Sequence, residues 1–275
     1  SNAMDQVSKF MLKVITNILR PFVKLMIAHG VTFPMISEIL KRVYVDVTIS
    51  DYKLDPNKKI TDSRITLLTK VHRKDVRRIR AEKEDIDLPE EYSSLGAQIV
   101  AKWFASDQYT DDNGKPKALM KLASKAKGEA NFEALVSSLN NDIRPRAALD
   151  EMISQKMISE DSDGLIRLNE EAFIPRENFE ELMGHFNRNI HDHLSAAVHN
   201  VVDERKPFME RSVYYNGLSN ASIEKLEKLV EKHGMEALVA LNKAAYDYSK
   251  NNQDQNDDKN RMTFGIYFYS EKDEN

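Results

Sequence analysis

The chain has no cysteine among its 275 residues. A disulfide framework, a thiolate metal site and a cysteine nucleophile are all excluded. The absence fits a reducing cytoplasm, which is the expected location. Glycine and proline are scarce, at 9 and 8, which favours helices over a turn-rich β protein. No uninterrupted run of about 20 apolar residues exists, so no membrane-spanning helix is expected. A Gly-rich phosphate loop and a Gly-x-Ser-x-Gly elbow are also missing. Acidic residues abound, but no two stand out as an acid/base pair. We therefore expect no enzyme, no catalytic residue and no cofactor.

What is present points to a packed protein, with 41% hydrophobic residues and length enough for two domains or three small ones. The expected fold class is mainly α with small β elements. It divides into an N-terminal helical domain (4–92), a second domain (93–175) and a C-terminal α+β domain (176–275) suited to dimerisation. Ser1, Asn2 and Ala3 read as a cleavage scar, with Met4 as the natural start.

The most apolar stretch, Phe10 to Gly30, is interrupted by Lys9, Lys13, Arg20 and Lys24 at spacings of 4, 7 and 4. That makes one narrow polar stripe on an apolar helix. Such a helix packs on several sides or forms a subunit interface; peripheral contact of residues 9–27 with an anionic membrane is the other reading. Pro21 begins a fresh segment or kinks the helix, and Gly30 caps it. A second helix starts near Thr32 and Pro34, with Ile36, Ile39, Leu40, Val43 and Tyr44 as its apolar face.

Further along, Leu95–Ser106 reads as a helix carrying Trp103. A turn at Asn113-Gly114 and a short extended piece follow, then two helices and a hairpin around Asp163-Gly164. Residues 176–204 form one long helix. Residues 222–250 read as two helices around Gly234. Residues 211–219 and 261–271 are rich in Tyr, Phe, Val and Ile and read as strands, paired with each other or across a dimer axis. The run 251–260 reads as a polar loop.

Charge is focused in one place. From Ile60 to Lys83, eight basic residues face three acids, a net +5 in a chain whose total is −4. Focused charge usually faces a partner. The segment Asp62–Glu82 has the spacing of a helix-turn-helix: Ile65, Leu68 and Val71, then Val76 and Ile79, with offsets from Ile65 of 6, 11 and 14 to Val71, Val76 and Ile79. Thr66 replaces the usual small Ala. Lys70 replaces the Gly that eases the turn, at a strain of about 1 kcal/mol for a side chain at positive φ. At about 100° per residue, Val76, Ile79 and Lys83 point inward. Arg73, Lys74, Arg77 and Arg78 spread over the opposite face beside the small Ala81, a surface fit for phosphates and guanine edges. Arg80 lies at the flank. Asp62 or Ser63 caps the first helix, whose amides meet a phosphate.

From Leu95 to Pro175 the element order is that of a winged helix. Its candidate recognition helix sets Arg144, Arg146 and Lys156 against Asp150 and Glu151, and its hairpin tip is acidic. This unit is expected to be structural or to bind protein. The sequence from "LRPFVKLMIAHGVTFP" through "DSRITLLTKVHRKDV" to "MTFGIYFYSE" resembles an uncharacterised bacterial family, a domain of unknown function. The resemblance implies a helix-turn-helix-like core and supplies no ligand.

His185, His191, His193 and His199 crowd one helix with Asp192. His185, Asp192 and His199 share a face, but seven residues span roughly 10 Å, too far for one ion. No metal site is expected. The function expected is a transcriptional regulator that binds double-stranded DNA as a homodimer, with residues 73–83 as recognition helix and Arg73, Lys74, Arg77, Arg78 and Ser63 at the interface. If a protomer neutralises about five phosphates, log K falls against log salt with a slope near −4.5. The alternative is a winged-helix module that binds protein without DNA.

Overall fold

The computed structural model describes residues 3–82, 86, 88–173, 178–251 and 259–273. It is mainly helical with one small antiparallel sheet. The chain divides into two units, Ser1–Ile174 and Pro175–Asn275.

In the first unit, α1 (Ala3–Ala28) runs straight through Pro21 as one element. Proline lacks the N–H that would bond the Asn17 carbonyl, yet no new helix begins there. Gly30, at φ +69°, ends α1 in a left-handed turn. Its N–H bonds Ile27 at 3.2 Å and that of Val31 bonds Met26 at 2.9 Å, which satisfies the last carbonyls. The expectation that α1 packs on several sides is not met. Only Met26 is buried among its described side chains, while Phe10 and Ile27 are 66% and 73% exposed.

Next, α2 (Phe33–Asp51) starts at Thr32 with Pro34 in its first turn, as expected. Its buried face differs from the apolar face predicted. Glu38, Arg42, Val45 and Thr48 are buried, whereas Leu40, Val43 and Tyr44 are exposed. The helix turns this edge inward because Val45 joins the apolar cluster of the next two helices, α3 (Asp62–Thr69) and α4 (Arg73–Ala81). Glu38 and Arg42 meet charges on and just beyond α4.

A separate core fills residues 95–168. It is built by α5 (Leu95–Ala105), α6 (Ala123–Ala126), α7 (Phe132–Leu139), α8 (Pro145–Ser154) and the hairpin β1 (Ile158–Glu160) and β2 (Ile166–Leu168). The register pairs Ile158 with Leu168 and Glu160 with Ile166. Leu119 bridges to Ile166, which ties the extended piece after α5 to the hairpin. Trp103 is fully buried, packs 6.2 Å from the Phe132 ring, and donates its indole N–H to the Lys117 carbonyl at 3.0 Å. The hairpin turns at Gly164, at φ +75°, as the Asp-Gly signal predicts.

The second unit holds α9 (Phe179–Val202) and α10 (Asn220–Asn251). The first is the single long helix expected. The second is one helix, not two: Gly234 sits inside it. A helical glycine costs only about 1 kcal/mol, and here Ile266 packs where a side chain would stand, 3.8 Å from the Cβ position. Within the single chain the two predicted strands do not pair with each other, so the described residues of this unit hold helices and no sheet. Residues 211–219 and 261–271 lie outside any strand, because neither has a ladder partner among the described residues. Most of the predicted polar loop, 252–258, lies outside the described residues.

Candidate nucleic-acid interface

Two short helices and a tight turn carry the basic segment. Thr61, not Asp62 or Ser63, is the N-cap of α3, its hydroxyl accepting from the Arg64 N–H at 3.2 Å. Asp62 instead holds Arg80 at 2.7 Å and Arg77 at 3.5 Å. Ser63 is exposed in the first turn. Helix α3 ends on Lys70, which takes the left-handed conformation at φ 60° that the sequence spacing demands. The Thr69 hydroxyl accepts from the Val71 N–H at 3.1 Å and donates to the Ile65 carbonyl at 2.7 Å, locking the turn. His72 then caps α4, its Nδ1 accepting from the Lys74 N–H at 3.1 Å. Replacing Lys70 with glycine is expected to stabilise the chain by about 0.5–1 kcal/mol, by removing the penalty on a left-handed side chain. A urea unfolding series checks it; an unchanged or lower midpoint refutes it.

Apolar contacts weld this unit. Ile65 and Val76 are fully buried, Ile79 and Ile60 nearly so, and Val45 and Ile49 of α2 close the cluster with Val71. Leu68, expected inside, is 47% exposed. Its position points away once Ile65 and the turn fix the helix.

The cations of α4 divide into two sets. Arg78 turns back toward α2, against the expectation that it faces outward. It lies 2.7 Å from Glu38, 3.1 Å from Asp75 and 3.2 Å from Glu82. Arg42 pairs with Glu82 and lies 3.5 Å from Glu38, while Lys41 lies 3.3 Å from Glu38 and 3.5 Å from Asp75. Three cations and three carboxylates thus neutralise one another. The Glu38 carboxylate holds the Arg78 guanidinium well above its ordinary value. Burial pushes Glu38 up, and Arg78 and Lys41 outweigh it, so its carboxyl sits below the ordinary range. Arg80 bonds the Ile60 carbonyl at 3.0 Å as well as Asp62, and serves as a strut.

The other set is Arg73, Lys74 and Arg77, all exposed. Arg73 and Arg77 are four residues apart and share a face. The side chain of Arg77 stays 64% exposed despite its contact with Asp62. The structure brings these three together in the first half of α4, with Lys70 exposed in the turn beside them. Lys83 lies outside the described residues. Sequence reasoning missed Glu38, Lys41 and Arg42. The i, i+3, i+4 spacing of one acid and two bases on α2 was the available signal. It also missed His72 as a cap.

The histidines of α9 have structural partners. His193 reaches Glu210 at 3.3 Å and packs against Tyr267, and His199 meets the Lys206 carbonyl at 3.2 Å and the Phe208 ring. No metal-holding group occurs among the described residues. Nor is any described helix long and apolar enough to cross a membrane.

Residues 10–275 match the profile of a family of unknown function, DUF6502. The chain belongs to that family. No curated protein and no solved structure matched it. The DUF6502 match runs over both units, from within α1 through the basic helix pair to the C-terminal segment.

Proposed function

We propose that the chain is a DNA-binding protein, a transcriptional regulator acting as a homodimer on double-stranded DNA, with α4 entering the major groove. One observation carries the reading: Arg73, Lys74 and Arg77 stand exposed on the N-terminal half of α4, while Arg78 and Arg80 are tied into the scaffold. In helix-turn-helix proteins the first residues of the second helix reach the bases. Ser63, exposed at the start of α3, lies where a phosphate contact is expected, and the exposed amino end of α3 favours an anion.

Residues 95–168, read as a winged-helix-like unit, take a different role. Three of their cations are paired, Arg146 with Asp150 at 3.1 Å, Lys121 with Glu160 at 3.2 Å and Arg167 with Asp161 at 2.7 Å. With the acidic hairpin tip, this favours a structural or protein-binding role there. It also keeps open the second reading, a protein-interaction module whose basic helix meets an acidic partner.

Fluorescence anisotropy on pooled genomic fragments across a salt series tests the proposal. Three exposed cations per protomer predict a slope of log K against log salt near −2.7, about −5 for a dimer, gentler than five contacts would give. No binding at low salt ends the DNA reading and turns attention to a protein partner.

A further inference from the structure

The last described segment, 259–273, runs without helix, turn or bend. Its side chains meet helices in alternation. Arg261 reaches Asp192 of α9 at 2.7 and 2.9 Å, Thr263 donates to the same carboxylate at 2.6 Å, and Tyr267 packs 5.7 Å from the His193 ring. The intervening Ile266 instead packs at Gly234 of α10. Odd residues to one helix and an even residue to the other is the period of an extended strand. Hydrogen bonds from Arg261 and Thr263 hold the Asp192 carboxyl far below its ordinary value, so it accepts these contacts as the carboxylate at neutral pH.

Among the described residues, residues 261–270 have no ladder partner on either edge, and no backbone–backbone hydrogen bond joins them. A row of unpaired backbone groups on bulky, β-favouring residues is a template for another strand.

The sequence says which strand fits. Laid antiparallel on itself about Ile266, the segment sets Arg261 against Glu271 and Lys259 against Asp273. The same register sets Phe264 against Phe268 and Gly265 against Tyr267. Opposite charges, facing aromatics and an aromatic covering a glycine are the pairings that stabilise sheets. Parallel self-pairing would place Arg261 on Arg261 and Glu271 on Glu271. A two-fold axis gives each copy the same contacts, as homodimers require. One strand pair alone falls short of the roughly 1,200 Å² of a stable interface. The segment itself leaves Met262, Tyr267 and Tyr269 63–71% exposed, apolar surface that a second copy can cover.

We propose that the chain homodimerises through antiparallel pairing of residues 261–271 with the same residues of a second copy, centred on Ile266. The inference rests on the homodimer invoked above but not on DNA binding, and its test involves no DNA. Light scattering on the full chain should give twice the 31.6 kDa chain mass; a monomer at tens of micromolar overturns the proposal. Because the chain lacks cysteine, single thiols report the register. Ile266→Cys should form a disulfide-linked dimer under mild oxidation, and Tyr248→Cys, exposed on α10, should not. A mixture of Phe264→Cys and Phe268→Cys chains should cross-link faster than either variant alone. A dimer that forms neither cross-link refutes this surface.

Discussion

Replacing Arg73 and Arg77 together with alanine will weaken DNA binding by about 2 kcal/mol or more, roughly 30-fold, and flatten the salt slope by about two per protomer. Arg78→Ala will leave the slope unchanged. The difference follows from geometry. Arg73 and Arg77 project from one face of the first half of α4, and Arg77 keeps most of its side chain in solvent. Arg78 is spent on Glu38, Asp75 and Glu82. Reversing Arg78 to glutamate would set a fourth carboxylate against these three and disturb the scaffold, so lost binding in that variant would say nothing about a DNA contact. The alanine pair avoids this, because neither side chain touches the network. Thermal melts of all variants establish that they fold. Equal salt slopes for wild type and Arg73→Ala/Arg77→Ala would remove α4 from the interface.

The helix pair was legible because its determinants are local. A three-residue turn and the left-handed Lys70 follow from neighbours in sequence, although the caps fall on Thr61 and His72 rather than on Asp62 or Ser63. The same holds for the Asp163-Gly164 hairpin and for α9. The failures share a different cause. The face of α2 was read from apolar spacing, yet charged Glu38 and Arg42 are the buried pair. Charges enter an interior only when partners meet them, and those partners lie some 40 residues away, where periodicity carries no information. Strand propensity at 211–219 and 261–271 gave no ladder within the chain for a related reason. It measures fit to a pleated surface and presupposes a neighbouring strand. Gly234 misled because glycine marks helix ends only when the chain turns there, and Ile266 instead uses the gap.

Glu38→Ala will destabilise the N-terminal helical unit by about 3 kcal/mol, the low end for breaking a buried ion pair. The side chain of Glu38 is 8% exposed and that of Arg42 11%, so these two carry the effect. Arg78 and Glu82 are more than a third exposed, and their share is discounted for solvent screening. Removing the carboxylate leaves Lys41, Arg42 and Arg78 facing one another across Asp75 and Glu82 alone. Glu38→Gln will lose less, because the amide oxygen still accepts from arginine.

The pH dependence separates this cause from a packing defect. Glu38, Asp75 and Glu82 all have folded values below the ordinary 4.5, 3.8 and 4.5. A carboxyl depressed by folding contributes fully above its unfolded value and loses that contribution as pH falls through the folded one. Wild-type stability should therefore decline from about pH 4.5 downward, and the gap to Glu38→Ala should narrow in acid. Urea unfolding at pH 7 and pH 3.5 reads both. A gap that stays constant would assign the loss to packing of the glutamate stem. No gap at neutral pH would leave the seating of α4 on α2 to the apolar contacts of Val45, Ile65 and Val76.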